Sequence, residues 1–132
     1  MSATAALDAL AAALRDVHKL LLEVEGYQAG VMDNPIRLLQ LATMDSRFAW
    51  LRPLSKLITE LDEQQANTDA PTPAMLGEYR KAVETLIPAS GEAADEFYSR
   101  YTTLMQQSPR IAMAHATLRR ELRNIADAES NT

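Results

Sequence analysis

The chain has 132 residues, a net charge of -5, 47% hydrophobic residues and no cysteine. This length fits one domain with a single core. The lack of cysteine excludes disulfides, thiolate metal sites and a cysteine nucleophile, and the acidic balance disfavours nucleic-acid binding. No apolar run reaches the roughly 18 residues of a membrane span, and the first residues lack the basic start of a secretory signal. We therefore expect a cytoplasmic protein that does not contact a membrane.

The first predicted helix precedes Gly26. Its apolar residues form a heptad seam that three further residues widen: Leu7, Leu10, Leu14, Val17, Leu21 and Val24, with Ala6, Ala13 and Leu20 on one flank. A stripe this wide predicts contact with more than one neighbouring helix. Ser2 or Thr4 is expected to cap the start of the helix, and Gly26 is expected to end it in a left-handed conformation.

Three dipeptides mark further helix starts: Asn34-Pro35, Thr72-Pro73 and Ser108-Pro109. Each joins a preferred N-cap side chain to a proline, whose fixed φ and missing N–H suit the first turn of a helix. The first opens a short helix that ends near Met44 and carries three leucines: Leu38, Leu39 and Leu41. The second opens a helix that stops before Pro88. The third opens a helix that runs nearly to the end of the chain, with fraying expected from Ala128 onward.

The run from Asp45 to Glu63 is the segment around which the other elements are expected to pack. It contains the only tryptophan, Trp50, followed by leucines at helical spacing. We expect a helix capped by Asp45 or Ser46 and kinked or restarted at Pro53, which has no N–H for the carbonyl four positions back. A polar connection follows this helix.

That connection runs from Gln64 to Thr72, and Ser90 is expected to cap one more helix. Aromatic residues make up 5% of the chain and there are only four glycines, which favours helices over hairpins. The sequence therefore predicts an all-α helical bundle of about four long helices plus two shorter ones, in a single domain covering residues 1–132.

The sequence FAWLRPLS, from Phe48 to Ser55, resembles a segment of a family of small proteobacterial helical proteins. The family pattern also has a histidine on the first helix, a leucine-rich short helix, an aspartate before this segment and a histidine on the last helix. The matching positions are His18, Leu38 to Leu41, Asp45 and His115. The resemblance implies a compact helical domain from a bacterium, and it implies no activity.

Two histidines lie on apolar stripes of predicted helices. His18 flanks the seam of the first helix and His115 lies within the stripe of the last. With Glu25 and Glu121 as acidic companions, they could form a metal site. The Glu-x-x-His pairs of di-iron bundles are absent, however. The other interpretation is that both imidazoles are partly buried and hydrogen-bonded within the bundle.

An aromatic and basic segment predicts a protein-binding surface. It contains four basic residues close in sequence to the tryptophan: Arg37, Arg47, Trp50, Arg52 and Lys56. Arginine and tryptophan are favoured interface anchors, and arginine binds carboxylates through two parallel hydrogen bonds. In the alternative interpretation Trp50 and Phe48 belong to the core, and Arg52 pairs with Glu60 or Asp62.

The sequence lacks the motifs of common enzymes and cofactor sites, such as G-x-G-x-x-G, the P-loop and H-E-x-x-H. We therefore expect no cofactor. The first functional hypothesis is a non-enzymatic bundle that associates with itself or with another protein, because the stripe of the first helix and the leucines Leu38, Leu39 and Leu41 exceed what a small bundle covers. The alternative is a metal- or small-ligand-binding bundle that uses His18 and His115.

Overall fold

The computed structural model describes residues 2–28, 36, 46–67, 69–88 and 96–130. These residues form five α-helices and one 3₁₀ helix, and no strand occurs among them. In chain order the elements are α1 (Ala3–Gln28), the 3₁₀ helix (Ser46–Leu51), α2 (Arg52–Ala66), α3 (Pro73–Leu86), α4 (Glu96–Gln107) and α5 (Pro109–Ser130). The prediction of an all-α fold is confirmed.

The helix α1 is the centre of the bundle. It packs most extensively against α5 and α2, and it also contacts α3, α4 and the 3₁₀ helix. Its apolar stripe is buried along its length, at Leu7, Leu10, Ala11, Ala13, Leu14, Val17, Leu20 and Leu21. Each leucine buried in this way stabilises the fold by about 1.5–3 kcal/mol. The described chain therefore covers most of the predicted stripe, with Ala6 and Val24 only partly buried.

The two ends of α1 differ in how well local sequence predicts them. The Ser2 hydroxyl accepts a hydrogen bond from the Ala5 N–H at 3.1 Å, so Ser2 is the cap and Thr4 lies inside the helix. The predicted stop at Gly26 is wrong, because α1 continues to Gln28. A glycine costs a helix interior only about 1 kcal/mol, and the contacts of Glu25 with other helices hold this last turn in place.

The restart at Pro53 is confirmed. The 3₁₀ helix ends at Leu51, and α2 begins at Arg52 with Pro53 in its first turn. Its buried face is formed by Leu54, Leu57 and Leu61. The helix extends to Ala66, three residues into the segment predicted to be a polar connection. The expected cap involves Asp45 or the Ser46 side chain, and both lie outside the described part of the structure.

Two predicted helix starts have the expected cap geometry. The Thr72 hydroxyl accepts a hydrogen bond from the Met75 N–H at 3.2 Å at the start of α3. The Ser108 hydroxyl accepts one from the Ile111 N–H at 3.4 Å at the start of α5. The helix α3 ends at Leu86, ahead of Pro88, as predicted. The helix α5 extends through Ala128 to Ser130, and fraying of this last turn stays a prediction.

The short helix predicted after Asn34-Pro35 lies outside the described residues, together with its leucines Leu38, Leu39 and Leu41. Ile36 alone is described there, in helical conformation and 71% exposed. The expected cap at Ser90 is also outside the described residues.

An ionic network joins α3 to α5. The Arg80 guanidinium donates from Nε to Glu129 Oε1 at 2.9 Å and from Nη1 to Glu84 Oε2 at 2.7 Å. Arg119 reaches the same Glu84 at 3.6 Å and donates to the Ile87 carbonyl at 3.3 Å. The hydrogen bond from Arg80 lowers the pKa of Glu129. These contacts fix the rotation of α3, and with it the residues that α3 presents beside α2.

Within the described residues, no helix combines the length and the apolar character needed to cross a membrane.

Candidate protein-binding groove

Trp50 lies in the core, with an exposed fraction of 6%. Its indole Nε1 donates to Glu25 Oε1 at 3.1 Å, and its ring centroid is 5.5 Å from that of Phe97. The Arg100 guanidinium lies 6.0 Å from the tryptophan ring centroid. We therefore correct the expectation that Trp50 contacts a partner, because its rings are enclosed by α1, the 3₁₀ helix and α4.

Arg52 and Lys56 have the opposite environment. Both are exposed, and their spacing of four residues puts them on one face of α2. Among the described residues neither has an acidic partner within salt-bridge distance. The alternative interpretation paired Arg52 with Glu60 or Asp62, but neither ion pair occurs, and Asp62 binds Arg15 of α1 instead. The remaining two predicted partner-binding residues, Arg37 and Arg47, have side chains outside the described part of the chain.

The other arginines of the helices are mostly engaged. Arg80, Arg100, Arg110 and Arg119 each lie within 4.0 Å of a carboxylate on another helix. In the part of the chain that the structure describes, the exposed cations with no carboxylate within salt-bridge distance, on their own helix or on another, are Lys19, Arg52, Lys56 and Arg123. Of these four, only Arg52 and Lys56 are adjacent on one helix face, so α2 carries a local positive charge that no described carboxylate pairs with.

A groove between α2 and α3 lies beside these cations. It has a volume of about 310 Å³ and is lined by Pro53, Lys56, Leu57 and Glu60 of α2 and by Ala82, Thr85 and Leu86 of α3. Four of these seven lining residues are apolar. We call it the α2–α3 groove.

The charge along the α2–α3 groove changes sign. Arg52 and Lys56 lie at the start of α2, whereas Glu60 and Glu63 follow one and two turns later. Burial, together with the charges of Glu60 and Glu63, raises the pKa of nearby Tyr79. The opposite charges at the two ends of this α2 face give the groove a polarity that a partner helix can match.

Sequence reasoning found the α2 side of this groove and missed the α3 side. Leu86 belongs to a recognisable apolar stripe, but Ala82 and Thr85 carry no motif. Their place beside α2 depends on the rotation of α3, which the network around Arg80 sets across a separation of 49 residues in sequence. Helical periodicity identifies the apolar stripe of α3, but it does not identify α2 as the helix that lies beside Ala82 and Thr85.

The two histidines lie in separate hydrogen-bonded pairs. His18 Nε2 is 2.9 Å from the Ser55 hydroxyl of α2, and burial lowers the pKa of His18. His115 Nδ1 is 2.7 Å from the Tyr101 hydroxyl of α4. Burial, assisted by the charge of Arg119, lowers the pKa of His115. Both imidazoles are therefore neutral at pH 7.

Tyr101 is fully buried, and burial raises the pKa of its phenol. A neutral phenol beside a neutral imidazole is satisfied when the phenol O–H donates to Nδ1, leaving the proton of His115 on Nε2. The same geometry suits a structural hydrogen bond between α4 and α5. Phe97 continues the aromatic cluster, its ring centroid 5.9 Å from that of Tyr101.

The predicted metal-binding set is dispersed. His18 is bonded towards α2 and His115 towards α4, Glu25 accepts from Trp50, and Glu121 lies 3.6 Å from Arg120. Across the described ranges, no group of three or more histidine, aspartate and glutamate side chains is arranged to hold a metal ion. The metal-site hypothesis receives no support from these residues.

Comparison of the chain with protein-family models, with curated proteins and with solved structures found no match. The resemblance of the Phe48–Ser55 segment to a proteobacterial family therefore stays a prediction.

Proposed function

We propose that this protein acts without catalysis, as a helical bundle that binds another protein, and that the α2–α3 groove receives an amphipathic helix of the partner. The observation that carries this proposal is an apolar groove flanked by Arg52 and Lys56, two adjacent cations that no described acid neutralises. A helix laid into a groove is a recurring mode of peptide recognition.

The charge gradient of the groove supports a partner with carboxylates at the end that meets Arg52 and Lys56. Arginine binds a carboxylate bidentately, and lysine adds a mobile point charge. The C-terminal end of a helix also carries partial negative charge. The partner helix is therefore expected to run antiparallel to α2, with its acidic C-terminal end near Arg52. Apolar side chains at positions i and i+3 or i+4 would contact Leu57 and Leu86.

One of the two arguments for a homo-oligomer, the wide apolar stripe of α1, is weakened by the structure. Most of the apolar stripe of α1 is buried within its own chain, so α1 does not favour a dimer. A second copy remains one outcome of the test, because the chain is acidic overall and could itself supply carboxylates to Arg52 and Lys56.

The test is affinity capture from an extract of the native host with the tagged full-length protein as bait. The groove variant carries Arg52→Glu and Lys56→Glu. A matched control carries Lys19→Glu and Arg123→Glu, which change net charge equally at two exposed cations outside the groove. A third bait, Ala82→Phe, fills the groove from an exposed position without changing charge. Circular dichroism verifies that each bait is folded.

The proposal requires the same partner to be lost with the groove variant and with Ala82→Phe, and to be retained with the matched control. Recovery that is equal across all baits counts against the groove. Light scattering of the purified protein identifies the remaining outcome: if self-association is present and disappears only in the two groove-directed variants, the partner is a second copy of this chain.

A further inference from the structure

A second and larger cavity lies at the opposite side of α3, where the first turns of α1 and α3 meet the last turns of α5. Its volume is about 590 Å³. This is within the range of roughly 300–1,000 Å³ in which proteins bind small molecules. We call it the end groove. It shares no residue with the α2–α3 groove.

The floor of the end groove is apolar and built from small residues. Leu76 and Ile125 are buried beneath it, and alanines from α1 and α5 line its walls: Ala3, Ala6 and Ala128. The alanines leave space that larger side chains would fill. A ligand with a short hydrocarbon chain would be removed from water by this surface, at a gain of about 25 cal/mol for each Å² of apolar area buried.

The charged groups among the described residues that line the end groove are all acidic. Its lining contains Glu121, Asp127 and Glu129 and no lysine, arginine or histidine. Glu129 is held by Arg80, and Glu121 has Arg120 at 3.6 Å on its outer side. Asp127 is exposed and has no described cation within salt-bridge distance. The carbonyl groups at the end of α5 add partial negative charge.

Anionic ligands are disfavoured at the same place. The helices α1 and α3 begin beside the groove, and free N–H groups at helix starts commonly bind anions. Here the Ser2 hydroxyl binds the Ala5 N–H, and the Thr72 hydroxyl binds the Met75 N–H. Each cap occupies one N–H group of its helix start, and the carboxylates of α5 repel an anion.

From this combination we infer that the end groove binds a small amphiphilic amine, a molecule with a short alkyl body and a protonated amino group. The alkyl body lies on Leu76, Ile125 and the alanines. The ammonium group lies at the lip, where Asp127 and Glu121 provide complementary charge. The inference is independent of the α2–α3 groove, because the two sites use different residues and ligands of different chemistry.

The test compares three probes of equal chain length, octylamine, octanol and octanoate, by titration calorimetry at neutral pH with the full chain. We expect octylamine to bind at least about tenfold more tightly than octanol, which corresponds to about 1.4 kcal/mol, and octanoate to show no binding. Chemical shifts of backbone amides in α5 and in the first turn of α1 locate the bound amine.

Two variants probe the two halves of the site. Asp127→Asn removes the exposed carboxylate and is expected to weaken octylamine at least about fivefold. Ala128→Leu fills the groove with a good helix former at an exposed position, so it is expected to abolish binding while the helix stays folded. Asp16→Asn, an exposed carboxylate of α1 outside the groove, is the matched control and is expected to bind octylamine like the unmodified chain.

The inference is overturned if octanol binds as tightly as octylamine, because the carboxylates then contribute nothing. It is equally overturned if Asp127→Asn and Asp16→Asn reduce binding by the same factor, which would indicate a general effect of charge. Absence of octylamine binding at millimolar concentration also overturns it.

Discussion

The hydrogen bond between Trp50 and Glu25 joins residues 25 positions apart in sequence and secures the last turn of α1. The carboxylate is 5% exposed, with Arg100 at 4.0 Å as its nearest cation. A buried carboxylate is costly unless donors surround it. The indole N–H is therefore part of what makes this burial tolerable.

Replacing Trp50 with phenylalanine removes that donor and some packing. We expect the free energy of unfolding to fall by about 2–4 kcal/mol, measured by urea denaturation followed by circular dichroism. Glu25→Gln is the control, because glutamine keeps an acceptor for the indole and removes the buried charge. Its cost should stay below about 1.5 kcal/mol. A loss with Glu25→Gln as large as that with Trp50→Phe would contradict the proposed role of the N–H.

The histidines make stability depend on pH. Burial lowers the pKa of both His18 and His115 in the folded protein below the value of 6.5 expected in the unfolded chain. The unfolded chain therefore binds more protons as the pH falls below about 6.5, and stability declines from there downward. Urea midpoints at about pH 7.5 and about pH 5.5 should differ in this direction.

The double variant His18→Gln with His115→Gln should flatten this dependence. The comparison stays above the range in which Glu129 contributes, because its carboxyl, with a pKa lowered from 4.5 by Arg80, loses its stabilising charge only at lower pH. If the double variant keeps the full difference between the two pH values, the imidazoles are not its source.

At the scale of elements, Gly77 marks a close approach of α3 and α5. A Cβ at this position would lie 3.1 Å from Glu129 Oε1, and Arg80 holds that carboxylate in place. Alanine is otherwise preferred to glycine in a helix by about 1 kcal/mol. The two effects oppose each other in Gly77→Ala.

A double-mutant cycle separates them. In the unmodified chain, Gly77→Ala should change the free energy of unfolding by less than about 0.5 kcal/mol, and in the Glu129→Ala background it should stabilise by about 0.5–1 kcal/mol. Ala82→Gly, at an exposed position of the same helix, should cost about 1 kcal/mol in both backgrounds. Equal stabilisation by Gly77→Ala in both backgrounds would show that the close approach carries no energy.

Local chemistry predicted the helix starts well. Ser2, Thr72 and Ser108 cap helices as expected, and Pro53 restarts one, because each effect depends on residues within one turn. Gly26 does not end α1, whose last turn is joined through Glu25 to Trp50, 25 positions further along the chain. The α2 side of the candidate site could be predicted, because Arg52 and Lys56 are four residues apart in sequence. The α3 side of the groove could not, because its position depends on contacts between helices.

At the scale of the whole molecule, the position of α1 predicts cooperative unfolding. It contacts all the other described helices, so no helix can leave without exposing part of its stripe. Trp50, the only tryptophan, reports on the contact of α1 with the 3₁₀ helix and α4. Tryptophan fluorescence and circular dichroism should give the same urea midpoint. An earlier fluorescence transition would reveal that this end of the bundle opens separately.

The enclosed position of α1 also determines where a reporter group can be attached. Among the exposed positions of α1, Ala12 takes part in none of the described side-chain contacts. The chain contains no cysteine, so Ala12→Cys would create a unique thiol on the most enclosed helix of the bundle. A fluorophore or spin label coupled there would sense motions of α2 and α5 from a rigid and central reference point.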